Sequence, residues 1–201
     1  MTRLRDKRRG SRLRNTRSGQ AMVEMAMLLP VLMLLFLGAW TAANLIDDND
    51  AAAQATRAGA RLAAEIGNGV SLGLTQAQVD RNIIDQVLPI VKPQLTNAQV
   101  TEIDIYQPSG CTGTTPFASG TCPPNNGAYT AGEPIDSYTV TNYVATFPCT
   151  TCTYTLALRS QTHPGESELG VRLVFTYTSP TLKFFTQTDS QYTVMRLTPT
   201  S

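Results

Sequence analysis

At 201 residues and a formal net charge of +1, the chain has room for one membrane segment and one modest domain, because compact domains hold about 100 to 150 residues. The charge is unevenly spread: residues 1–18 carry eight Lys or Arg against the single acid Asp6, whereas everything after Ile46 carries eight bases and thirteen acids. That asymmetry argues against a nucleic-acid-binding domain, which spreads positive charge over a folded face instead of confining it to one end.

The first predicted element explains the basic end. Between Glu24 and Asp47 lie 22 consecutive uncharged residues, which as a helix span roughly 33 Å, against about 30 Å for a hydrocarbon core. Lys and Arg collect on the cytoplasmic side of a span, so Arg3, Arg5, Lys7, Arg8, Arg9, Arg12, Arg14 and Arg17 predict a cytoplasmic N-terminus and an extracytoplasmic remainder. Two other readings compete. A cleaved secretory signal has an apolar stretch of about 7 to 15 residues before a small-residue cut site; the run here is longer, although residues 41–43 mimic such a site. A buried soluble helix is amphipathic, and residues 28–39 are apolar on every side. The organisation expected is therefore a basic leader at 1–19, a transmembrane helix at 20–46 and an extracytoplasmic domain at 47–201.

Helical patterning continues past the span. Ala51, Ala55, Gly59 and Ala63 recur every four residues, flanked by Ala58, Leu62 and Ile66, while Gln54, Arg57, Arg61 and Glu65 line the opposite side. A small apolar face of this kind serves equally to pack on the chain's own domain or to admit another subunit's backbone closely. Gly67, Asn68 and Gly69 break the helix, and Thr75 with Gln78 has the form of a capping box opening a second one. That helix is expected to reach about Leu88 and stop before Pro89.

Beyond it the alphabet turns to Thr, Val and Tyr with a two-residue period. Thr101, Ile103 and Ile105 alternate with Glu102 and Asp104; Tyr154, Leu156 and Leu158 alternate with Thr155, Ala157 and Arg159; Val171, Leu173, Phe175 and Tyr177 alternate with Arg172, Val174, Thr176 and Thr178. Residues 138–147 and 191–197 are less regular strand candidates. Helices first and strands later predict an α+β fold, a mostly antiparallel sheet packed on the helices. Residues 107–137, rich in Pro, Gly, Thr and Asn, read as one long loop.

Little in the sequence points to catalysis. Cys111, Cys122, Cys149 and Cys152 all fall in the part placed outside, where oxidising conditions favour disulfides. Of three possible pairings the local one, Cys111 to Cys122 and Cys149 to Cys152, is preferred because short loops close at low entropic cost. Cys149 and Cys152 also have redox-motif spacing, but a reactive pair normally sits at a helix N-terminus and a strand is expected after it. Zinc is disfavoured by the spacing of the first pair. His163 is the only histidine, so no multi-histidine site can be assembled, and Glu166 with Glu168 reads as a solvated turn. No cofactor or metal is expected, and the chain is not expected to be an enzyme.

Glu24 stands apart. An ionisable group at the head of an apolar helix costs a few kcal/mol if it reaches the bilayer centre, and either snorkels to the interface or meets a partner. Its surroundings, Gly19-Gln20-Ala21-Met22-Val23-Glu24 followed by Met25-Ala26-Met27-Leu28-Leu29-Pro30, resemble the start of type IV pilin-like proteins. The closer resemblance is to the TadE/TadF-like minor pseudopilins of the tight-adherence (Tad or Flp) pilus system. Residues 56–64, Thr-Arg-Ala-Gly-Ala-Arg-Leu-Ala-Ala, are similar to the Ala/Arg-rich stretch after that family's membrane helix, and residues 170–177 and 192–196 look like its closing strand motifs. Met25 stands where an aromatic residue is common.

The resemblance implies a bitopic protein of the bacterial inner membrane that helps assemble or anchor an adhesive pilus. It implies cutting by a prepilin peptidase between Gly19 and Gln20, and a meeting of Glu24 with the N-terminal ammonium of a neighbouring subunit. The partners implied are other pilin and pseudopilin subunits and inner-membrane Tad assembly proteins, with no nucleic acid. Two rival functions remain at this stage: a single-pass extracytoplasmic binding module, and an envelope thiol-disulfide oxidoreductase using Cys149 and Cys152.

Overall fold

The computed structural model describes residues 14–67, 69–108, 128–159, 168–181 and 185–197. Cys111, Cys122, His163, Glu166 and most of the long loop lie outside the described residues. The chain divides into two compact units, Met1–Ala43 and Asn44–Ser201. Helix α1, Arg14–Ile66, contains Pro30. In the first unit its apolar side chains from Met22 to Trp40 are almost all exposed.

The second unit is α+β, as its sequence periods predict. After α1 come a 3-10 turn Val70–Leu72, helix α2 Gln76–Val91, and strands β1 Ala98–Tyr106, β2 Ile135–Thr141, β3 Val144–Ala145, β4 Thr151–Cys152, β5 Glu168–Thr178 and β6 Thr186–Arg196. Every strand pair is antiparallel; the sheet order is β3-β2-β1-β5-β6, with β4 added to β2. Ala52, Ala55, Ala60 and Ala63 of α1 and Val79, Ile83, Val87 and Val91 of α2 form one core with Ile103, Ile105, Val171, Leu173, Phe175 and Tyr177 of the sheet. The spacing follows the period of each element, every four residues on α2 and every two on the strands, and Gly59 sits between Ala55 and Ala63 in the α1 row. Gly59 permits a close approach: a β-carbon there would stand 2.5 Å from Val87 Cγ2 and 3.6 Å from Val171 Cγ1.

Helix α2 opens as expected, the Thr75 N–H donating to Gln78 Oε1 at 2.8 Å. It does not stop before Pro89 but passes through it to Val91. Proline in the last turn costs one helical hydrogen bond, and the continuation buries Leu88 and Val91 in the core, which offsets that cost.

The strands depart from simple alternation at three places. Thr101 does not share the apolar face with Ile103 and Ile105: a bulge lies between Val100, opposite Phe175, and Glu102, opposite Val174. The extra residue shifts the phase, so that Val100 is buried while Thr101 is exposed. Residues 138–147 are not one strand; β2 ends at Thr141, and Asn142 and Tyr143, with φ of 52° and 60°, turn the chain into β3. Left-handed backbone at both central residues suits the twist of a two-residue hairpin, and the Tyr143 hydroxyl donates to the Ala98 carbonyl at 3.1 Å. Residues 154–159 are not a strand at all. Tyr154 is buried, Leu156–Leu158 form a 3-10 turn, and the turn delivers Arg159 into the interior. Glu168, read as part of a solvated turn, is the buried first residue of β5, opposite Arg196.

Candidate membrane and assembly surface

Helix α1 carries the candidate site, and its surroundings change along its length. Gly19 has open space around it. Next to it, Gln20 Nε2 donates to Glu24 Oε1 at 3.1 Å, an i to i+4 contact on one side of the helix. Met22, Val23, Met25, Met27, Leu28 and Leu29 are all more than half exposed, so the carboxylate stands among uncovered apolar side chains. Further along, Phe36 stacks on Trp40 with ring centroids 6.5 Å apart, and the Thr41 hydroxyl returns a hydrogen bond to the Leu37 carbonyl at 2.9 Å. Among the described residues, Gly19–Ile66 is the one helix long and apolar enough to cross a membrane.

From Asn44 onward the helix belongs to the folded domain. Ala51, Ala55, Gly59 and Ala63, whose spacing serves either use, are covered by the chain's own α2 and sheet. Beside this apolar face runs a polar seam that the sequence pattern did not disclose. Asp48, 1 % exposed, accepts a hydrogen bond from the Thr96 N–H at 3.2 Å. Gln191 Nε2 donates to Asn49 Oδ1 at 2.8 Å, and the hydroxyls of Thr56 and Thr193 meet at 3.0 Å. The seam ties α1 to the start of β1 and to edge strand β6. Burial raises the pKa of Asp48 above the usual carboxylate range, against the opposing pull of the Thr96 and Asn97 N–H groups.

A second buried polar cluster holds the other side of the domain together. Arg159, fully buried, donates to Asp80 Oδ1 at 2.6 Å, to Asp136 Oδ2 at 2.9 Å and to the Tyr154 carbonyl at 3.1 Å. Its guanidinium also lies 4.7 Å from the Tyr154 ring centroid. The Tyr138 hydroxyl donates to Asp80 Oδ2 at 2.7 Å, Gln76 Nε2 to Asp136 Oδ2 at 2.6 Å and the Tyr154 N–H to Asp136 Oδ1 at 3.0 Å. Two carboxylates thus share one cation. Burial, and then the charge of Asp80, push Asp136 up to about 6. Sequence reasoning missed this cluster because its members lie on α2, β2 and a turn; an arginine beside a buried tyrosine in an apparent strand was the only local sign.

On the opposite face of the sheet Arg172 pairs with Asp104, Nε to Oδ2 at 2.7 Å, and Ser137 donates to Asp104 Oδ1 at 2.6 Å. Cys149 and Cys152 form a disulfide. Cys152 is in the two-residue strand β4 and exposed, and no α-helix begins at the pair. Among the described residues no group of His, Cys, Asp or Glu is arranged to hold a metal ion.

The exposed apolar helix headed by Gln20 and Glu24, continuing into a small-residue face, is the stretch that comparison with known proteins singles out: residues 19–61 match the family model described as TadE-like protein. The segment is a TadE-like domain. The match agrees with the resemblance read from residues 19–30 and 56–64 and supports a general relation to Tad-pilus proteins. The TadE-like domain begins at Gly19, the residue before the Gln20 and Glu24 pair, and ends within the part of α1 buried against α2. It therefore includes both the apolar helix and its first docked turns. No curated protein and no solved structure matches the chain.

Proposed function

We propose that this chain is a single-pass minor pseudopilin of the bacterial inner membrane, with its N-terminus in the cytoplasm, that helps assemble or anchor a Tad adhesive pilus. The observation that carries this reading is the TadE-like domain at residues 19–61, whose exposed apolar helix has one acid, Glu24, at its head. The basic residues at 3–17 supply the orientation. In this reading a prepilin peptidase cuts between Gly19 and Gln20. Glu24 then meets the N-terminal ammonium of a neighbouring pilin or pseudopilin subunit.

The physical case for that pairing is that two charges costly to bury singly stabilise a docked neighbour when they are matched, while a wrong partner leaves one unpaired. The role is structural and not enzymatic.

Incubation of the full chain with its cognate prepilin peptidase tests the proposal by mass. Loss of residues 1–19 is expected; an unchanged mass would leave a membrane-anchored binding module as the better reading. For Glu24 itself, crosslinking of Glu24→Ala and Glu24→Gln variants to neighbouring subunits is expected to fall well below the parent. Yields equal to the parent's from both variants would remove Glu24 from assembly.

A further inference from the structure

We infer that the outer edge of the hydrocarbon core crosses helix α1 at Trp40, seven residues before the next charge, Asp47, and that Glu24 therefore lies inside the hydrocarbon instead of at its rim. This rests on the membrane-spanning reading above and fixes where along the helix the lipid begins and ends. By charge alone the uncharged run ends at Ile46, and a core of about 30 Å counted back from there reaches residue 26, leaving Glu24 in the headgroups.

The folded domain contradicts that register. Leu45 packs against the core of Asn44–Ser201, Asp48 is buried beneath the Thr96 N–H, and Asn49 bonds Gln191. A lipid boundary at residue 46 would bring the polar groups that surround these residues down to the acyl chains, where backbone and amide groups lose water without gaining partners. The boundary must fall before Leu45.

Trp40 marks the place. It is the chain's only tryptophan, about half exposed at 53 %, and tryptophan concentrates at the membrane–water interface. Twenty residues back along α1, about 30 Å, is Gln20. A tilted helix takes more residues to cross the same core, so tilt carries Glu24 deeper and never toward the rim. At that depth the 3.1 Å hydrogen bond from Gln20 Nε2 gives the Glu24 carboxyl a partner within its own helix before any other subunit is present.

The single tryptophan makes the test direct. The full chain is reconstituted in phosphatidylcholine vesicles whose acyl chains carry bromine near the glycerol end, at mid-chain or near the terminal methyl, and Trp40 emission is compared. The greatest loss of emission is expected with bromine near the glycerol end and the smallest near the methyl. The reverse order would overturn the register while leaving the span intact; no loss with any brominated lipid would overturn the membrane reading itself. In a W40F/I46W variant, whose new ring replaces an exposed side chain, little quenching is expected with any of the three lipids. Quenching there as strong as that of Trp40 would move the boundary outward and contradict the proposal.

Discussion

Two glycines of helix α1 meet opposite surroundings. A β-carbon on Gly38 would meet nothing within 4 Å beyond its own stretch of helix, whereas one on Gly59 would collide with Val87 Cγ2 at 2.5 Å. The same contrast holds for their neighbours, exposed apolar side chains around the first and the α2-sheet core around the second. The difference teaches that one helix is shaped for two solvents. From Met25 to Ala43 its side chains are uncharged and, among the described residues, mostly exposed, as those of a lipid-facing segment are. After Asn44 it keeps a small apolar stripe for its own domain, with Asp48, Asn49 and Thr56 fastening the edges of that stripe.

If the domain is held by its own interior, the largest effect of mutation should fall far from the span. Arg159→Met leaves Asp80 and Asp136 buried without their cation, and is expected to cost about 3 to 5 kcal/mol in urea unfolding of the detergent-solubilised chain near neutral pH. A loss below about 1 kcal/mol would mean that the cluster is hydrated and the division between interior and lipid-facing surface is less sharp than drawn. Gly59→Ala comes next, at about 1 to 3 kcal/mol from overpacking. Gly38→Ala should leave the unfolding midpoint of the domain where it was. Equal effects of the two would erase the contrast.

Acidity sharpens the comparison from another side. Asp136, raised from 3.8 to about 6 by burial and Asp80, holds a proton in the folded domain at pH values where the unfolded chain has released it. Its contribution to stability is therefore gained as pH falls from about 6 to about 4 and lost as pH rises through that window. Asp48, Glu102 and Glu168 are raised too, each by burial first, and act in the same direction. The urea midpoint of the domain should accordingly be higher at pH 5 than at pH 7; the opposite order would show that paired carboxylates dominate instead. The smallest effect expected is that of Asn49→Ala, which removes the bond to Gln191 at a cost of about 0.5 to 1.5 kcal/mol, seen as a slightly earlier midpoint with an unchanged slope.

Features governed by one element's own period were readable in advance. The uncharged run, the Thr75 and Gln78 cap and the alternation from Val171 to Tyr177 each depend on residues within a few positions of one another, and each stands where the pattern put it. What depends on distant partners was not readable. Arg159 curls back in a 3-10 turn because Asp80 and Asp136, 79 and 23 residues away in the chain, give its charge somewhere to go. The bulge at Thr101 serves the pairing with β5, and Pro89 stays helical because Leu88 and Val91 have a core to enter. The small-residue face of α1 was legible as a face; its coverage by α2 and the sheet was decided by tertiary packing.

The central claim, one crossing with the folded domain on the far side, is tested most directly by fusing alkaline phosphatase to the C-terminus of the full chain. Its activity is then measured in carbonate-washed membranes and in the soluble fraction. The enzyme folds only outside the cytoplasm, so activity confined to the washed membranes is the predicted result. Activity released to the soluble fraction, or a membrane-bound fusion that is inactive, would contradict the account.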